Sequence, residues 1–214
     1  MKMQMSHVVA AVSLFAALGS APASAVSVSY SLDQSNIGSL PDGTNYLQVT
    51  ITSTIAGAAS FSVAPVYGFT QLSNFGIQAF GFNYSGPNTL ASGDFTLPSG
   101  WSVDLPPPSA MDGFGKFEYT IQDGGSNRQS PLTFSVTNLG GATASQTLSY
   151  FAELSTGGAG QGNQYFAAHL ADFQSGSDTS GYFGGVTPVP EADTYAMLLA
   201  GLGLVGFAVR RKLN

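Results

Sequence analysis

The sequence predicts an all-β fold, a single β-sandwich of jelly-roll or Greek-key type. Three observations carry that expectation. Apolar residues in the body recur with period two rather than 3.6. Short β-branched and aromatic runs are separated by turn dipeptides at close spacing. No segment of the body offers a convincing amphipathic helix, which a mixed fold would need.

The expected strands follow in order. Residues 26–32 alternate Val, Tyr and Leu with Ser, and residues 46–55 read YLQVTITSTI, dense in β-branched side chains. Further strands are expected over 60–63, 75–84, 101–105, 117–122, 132–137, 147–154 and 164–173. Asp42-Gly43, Ser85-Gly86-Pro87, Ser99-Gly100, Asp112-Gly113, Asp123-Gly124-Gly125 and Gly140-Gly141 supply the turns between them. Phe166-Ala167-Ala168-His169-Leu170 is the one stretch with a helical lean, because two alanines weaken its strand signal. The glycine-rich stretches 157–162 and 175–185 are expected as mobile loops. The Gly/Ser-rich segment 174–188 as a whole reads as a linker behind a sandwich spanning 26–173. The chain shows no internal repeat at a fixed period, so one domain is the simplest organisation for 214 residues.

Both ends read as signals rather than as parts of this fold. In residues 1–25, Lys2 supplies a positive start, residues 8–18 an apolar run, and Ala23-Ser24-Ala25 a small-residue cleavage site. The run is too short for a bilayer core, which needs about 20 apolar residues. A removable signal peptide read by Sec-type export machinery is expected, with cleavage after Ala25 leaving Val26 first.

At the other end, Val189-Pro190-Glu191 is followed by an apolar and glycine run over 195–209, then by Arg210, Arg211 and Lys212. A cationic cluster just past an apolar helix stays on the cytoplasmic side, so a transmembrane helix over about 195–209 would leave the body outside. Together these features resemble the PEP-CTERM sorting signal, carried on residues 189–214. The third position of the eponymous Pro-Glu-Pro is here Ala192. The resemblance implies a Gram-negative envelope and an exosortase-like membrane processing enzyme as partner. It also implies an inner-membrane-anchored precursor and association with exopolysaccharide or biofilm matrix at the cell surface. It supplies an address and no activity for the body.

Composition excludes several classes. The body holds only Lys116 and Arg128 as basic residues against ten acidic ones, so a nucleic-acid backbone finds no cationic cluster. Charged residues are 8% of the chain, and there is no cysteine, which removes thiol and thiolate–metal chemistry. His169 is the body's only histidine; with Asp172 three residues on, it could serve a Ser-His-Asp arrangement, but no Gly-x-Ser-x-Gly elbow accompanies it. One histidine cannot build a zinc site. Glu118 and Glu153 are the only carboxylates of glutamate type available for glycoside hydrolysis, and nothing in their spacing brings them together. Asp42, Asp112 and Asp123 each precede glycine, as hairpin turns require; no EF-hand loop occurs, but with loop carbonyls these aspartates could supply oxygen ligands to a structural calcium. Phe80, Phe82 and Tyr84 share one strand face and read as core before they read as a sugar platform. The body is accordingly expected to be a structural or adhesive protein without catalytic residues or cofactors. A carbohydrate-binding module with an aromatic face is the alternative, and a glycan hydrolase a more distant one.

Overall fold

The computed structural model describes residues 25–158 and 160–189, and beyond them 199–202, 204–205 and 210. Except for Ala25, the expected signal peptide lies outside the described residues, as does much of the expected apolar span. Residues 199–202, 204–205 and 210 are helical. Among the described residues no helix is long and apolar enough to cross a membrane.

The chain opens with β1 (Val26–Leu32), β2 (Gln34–Ser35), β3 (Leu47–Ser53), β4 (Ala59–Pro65) and β5 (Thr70–Phe82). Next come β6 (Phe95–Thr96), β7 (Ser102–Asp104), β8 (Ser109–Met111), β9 (Gly115–Phe117), β10 (Tyr119–Gln122) and β11 (Leu132–Val136). A short helix, α1 (Ala144–Ser149), precedes β12 (Phe166–Ser175), β13 (Asp178–Gly185) and β14 (Thr187–Val189). Two six-stranded sheets result, ordered β14-β1-β3-β4-β11-β6 and β2-β13-β12-β5-β10-β7, with β8 and β9 forming a separate hairpin. The strand pairs of both sheets are antiparallel.

Alternation builds the first sheet directly. In β3, Leu47, Val49 and Ile51 are buried while Gln48, Thr50 and Thr52 between them are not. β4 and β11 repeat the rule, burying Phe61 and Val63, and Leu132, Phe134 and Val136. A period of two turns those apolar side chains to one face, which must then find a partner surface. The second sheet provides it. Phe61 stacks on Phe134 with ring centroids 4.5 Å apart, meets Phe82 of β5 at 5.4 Å, and receives the edge of Phe151 at 4.9 Å. The inner faces of both sheets thus merge in one aromatic core.

β12 is a strand in spite of its alanines. The β8–β9 hairpin lies over the outer side of the second sheet, where Met111, Phe114 and Phe117 form a second core with Ala79 and Ala167. Ala167 and Ala168 are therefore both buried, on opposite faces, and small side chains suit a strand covered on both sides.

Three expectations are corrected. The strand expected over 147–154 is replaced by α1 and the turn after it. The Thr143 side chain accepts from the Gln146 amide at 3.1 Å, an N-terminal cap that starts the helix. Leu148 and Phe151, three apart, then face the same core. The linker expected over 174–188, with its loop at 175–185, is instead folded chain: β12 runs on to Ser175, and β13 and β14 complete the two sheets. Its glycines answer close approach rather than flexibility. A Cβ on Gly185 would overlap the Ser31 carbonyl oxygen, and one on Gly184 would come within 2.6 Å of the Phe114 ring. Finally, the strand expected over 117–122 breaks at Glu118, so that β9 joins the hairpin and β10 the sheet.

Two substitutions measure this account. Phe61→Ala should lower the unfolding free energy by about 3–5 kcal/mol, as for a fully buried phenylalanine. Gly185→Ala should cost about 1–3 kcal/mol or more, because a methyl group there meets backbone rather than a movable side chain. Urea denaturation followed by tyrosine and tryptophan fluorescence reads both; a flexible linker at 185 would instead tolerate the alanine.

Candidate functional site

The sorting residues come first. Val189 is the last residue of β14, opposite Ser29, and Pro188 lies opposite Tyr30. Ala25 is exposed immediately before β1. Because β1 and β14 are antiparallel neighbours, the start of β1 and the end of β14 lie at the same end of the first sheet. Arg210 is exposed. Ala23, Pro190, Glu191, Arg211 and Lys212 lie outside the described residues.

The catalytic candidates are not brought together. The His169 ring lies flat against Tyr182, centroids 4.4 Å apart, on the outer side of the second sheet. Burial, helped by the Arg128 charge, holds its pKa below the usual histidine value. Asp172 sits at a β-bulge with φ of 58°, pairs with Arg128 at 3.2 Å and accepts the Asn74 amide at 3.1 Å. Among the described residues no hydrogen bond links His169 to a serine or to Asp172. Glu118 accepts the Tyr84 amide at 3.3 Å, while its own amide donates to Asn83 Oδ1 at 2.8 Å. These bonds tie the break between β9 and β10 to the end of β5. Glu153 is exposed in the turn after α1.

Of the aspartates that precede glycine, Asp123 organises its own turn, while Asp42 and Asp112 tie their loops to the segment around β2. Asp42 accepts the Ser35 amide at 2.9 Å, Asp112 accepts the Asn36 side chain at 3.1 Å, and Asp123 accepts the amides of Gly125 and Asn127. Among the described residues no group of three or more His, Cys, Asp or Glu could hold a metal ion. The aromatics of the expected sugar platform are core: Phe80 and Phe82 are fully buried and Tyr84 nearly so, and Phe114, Phe117 and Trp101 are buried elsewhere in the body. Tyr67, 44% exposed, stands apart from them beside Phe69 and Tyr46.

What residue-by-residue reading missed is the outer face of the first sheet. None of its six strands contains Asp, Glu, Lys, Arg or His. Register aligns the outward residues in two rows: Ser29, Thr50, Ser62 and Thr133, then Ser27, Thr52, Ser60, Ser135 and Thr96. Toward β1 the hydroxyls bond each other, Ser29 to Thr50 at 3.0 Å and Ser27 to Thr52 at 3.3 Å. Over β4, β11 and β6 the face dips into an open trough of about 580 Å³, with Leu97, Pro98 and Gln129 along it. The individual serines and threonines were visible as outward positions of alternating strands. Their common face was not, because it depends on which strands pair.

The lowered His169 pKa has a consequence for stability. The unfolded chain binds a proton near pH 6.5, whereas the folded chain holds His169 neutral to lower pH. This contribution is present above about pH 6.5 and is lost as pH falls through that value toward the folded pKa. Acid titration of the unfolding midpoint should show the loss, and His169→Gln should flatten it in that window.

Residues 188–212 match the PEP-CTERM protein-sorting motif family. No curated protein and no solved structure matches the chain. The motif begins at Pro188, inside β14, so the sorting signal starts within the folded body and not after a spacer. The chain thus carries a PEP-CTERM sorting motif, which implies export and an exosortase as processing partner, on a β-rich body whose own family is not recognised.

Proposed function

We propose that this protein is a non-enzymatic structural or adhesive component of a Gram-negative envelope or exopolysaccharide matrix, delivered there through its C-terminal signal. Its body serves as a β-sandwich of jelly-roll or Greek-key type, displayed outside the inner membrane. The observation that carries the reading is the sorting motif over 188–212, joined without a spacer to a folded β-rich body. In the proposed sequence of events the signal peptide is removed after Ala25. The apolar run over 195–209 then holds the precursor in the inner membrane, with Arg210, Arg211 and Lys212 on the cytoplasmic side. Carrying these cations through a bilayer centre would cost about 2.5–3.5 kcal/mol each, which halts export at that point. The exosortase acts next, and the body passes to the surface or matrix.

A structural role is supported by what the candidate catalytic groups do. Glu118 and Asp172 accept backbone amides, and His169 packs against a tyrosine. These are contacts that hold strands and turns in place. The second reading, a carbohydrate-binding module, is favoured by the uncharged hydroxyl face of the first sheet rather than by aromatic side chains.

Fractionation and immunoblotting in the native host test the sorting reading. A stop codon after Val189 should release a folded body into the periplasm or medium. Substituting Pro190 and Glu191 should leave the precursor in the membrane but block its processing. Changing Arg210, Arg211 and Lys212 to serine should weaken retention. Intact mass should show Val26 as the first residue of the exported form. If wild-type and truncated proteins partition alike as soluble species from the earliest minutes of synthesis, the anchor is wrong.

A further inference from the structure

The outer face of the first sheet joins two properties that rarely occur together over four or five adjacent strands. Its two aligned rows are made of hydroxyl side chains, and its strands carry no charge. Ordinary solvent faces of sheets mix Lys, Glu, Asp and Arg among their outward positions, because charge keeps a surface soluble and discourages association. Here the charged residues of the body lie outside these strands, in loops or in the second sheet and its covering hairpin. Most outward positions instead carry hydroxyl groups in register, spaced by the strand separation of about 4.8 Å along a row and by two residues, about 6.8 Å, between rows.

We infer that the trough on this face is a docking site for a neutral, hydroxyl-bearing polysaccharide laid across strands β4, β11 and β6. This deepens the adhesive reading above and rests on it for the presence of such a polymer around the protein. Chemistry selects the class of ligand. Each serine or threonine hydroxyl both donates and accepts, as each sugar hydroxyl does, so the two surfaces match without fixing one polarity. Ser60, Ser62, Thr133 and Ser135 line the trough, and among the described residues their hydroxyls bond no other side chain or backbone group. They remain free to meet a ligand, unlike Ser27 and Ser29, which are already paired. Leu97 and Pro98, both half-buried at the margin, offer apolar contact to the C–H faces of sugar rings. An anionic polymer gains nothing here, since the face has no cation and the body is acidic overall. A cationic polymer likewise finds no carboxylate on these strands. An uncharged partner avoids the loss of stripping water from an unmatched charge.

The test uses the full-length protein in detergent, passed over immobilised amylose, dextran and regenerated cellulose, with polygalacturonate as the anionic comparison. Retention on at least one neutral glucan and none on polygalacturonate is the expected result. Thr133→Asp, which places a charge in the trough, should reduce that retention tenfold or more. Thr96→Val with Thr133→Val, which removes two hydroxyls and keeps side-chain shape, should reduce it about tenfold. Ser73→Asp, an exposed position on β5 of the other sheet, should leave it unchanged. Unaltered near-ultraviolet dichroism of each variant shows that the fold is intact. The proposal falls if no neutral glucan retains the protein, if polygalacturonate retains it better, or if Thr133→Asp binds as well as wild type. It falls also if sedimentation shows a dimer that Thr133→Asp dissociates, for the face would then be an interface between two copies. None of these outcomes bears on membrane retention or processing, which fractionation reads separately.

Discussion

The contact between the two sheets through Phe61 is the interaction on which the rest of the body depends. Phe61 touches Phe134 beside it, Phe80 and Phe82 across from it, and Phe151 from the segment after α1. Aromatic pairs of this kind add about 0.5–1.5 kcal/mol each beyond the area they bury. A chain with 8% charged residues, no disulfide and many glycines has few other sources of specific stability. Concentrating large rings at the junction of both sheets solves that problem. It also fixes the sheets' relative position, because offset and edge-on rings tolerate little sliding. The outer face of the first sheet is then free of any packing task, whereas that of the second carries the β8–β9 hairpin.

The first sheet was legible in the sequence because each of its longer strands buries one side only. The alternation Leu47, Val49, Ile51 against Gln48, Thr50, Thr52 is a direct record of that geometry. The second sheet was harder to read where the β8–β9 hairpin covers it. There β12 buries Ala167 and Ala168 in succession, and period two disappears. β13 was lost for a related reason. Glycines at 181, 184 and 185 look like a flexible spacer, yet each marks a place where another chain segment passes too close for a side chain. Phe183 between them, fully buried, was the one local sign of a strand. The segment 147–154 misled in the opposite direction: its β-branched and aromatic content suits a strand, but the Thr143 cap and the spacing of Leu148 and Phe151 set a single helical turn and a half.

Function was legible only where it is written as a linear signal. A sorting motif is read by its enzyme as consecutive residues, so Val189, Pro190 and Glu191 followed by an apolar run and a basic cluster can be recognised without a fold. A surface assembled by strand pairing cannot. Ser62 and Thr133 are 71 positions apart in sequence and become neighbours only through the β4–β11 register. The fold also corrected the boundary between signal and body. With 174–188 taken as a linker, the sorting motif would have stood clear of the domain; with β13 and β14 in the sheets, it begins inside the edge strand of the first sheet.

That edge explains how an uncharged sheet is kept from pairing with its neighbours. Unpaired strand edges invite association, and charge is the common deterrent. The first sheet has none in its strands, but its edges are the shortest elements available: β6 has two residues, and β14 has three with Pro188 in the middle. Proline offers no amide to a further strand, and two residues give a neighbouring chain almost nothing to extend. Association through the edges is thus limited by length and proline, so charge is not needed on the face itself. The start of β1 and the end of β14, moreover, point toward the same end of the first sheet. With its edges blunted in this way, the sheet can keep a broad, neutral, hydroxyl-rich face without charge on its strands.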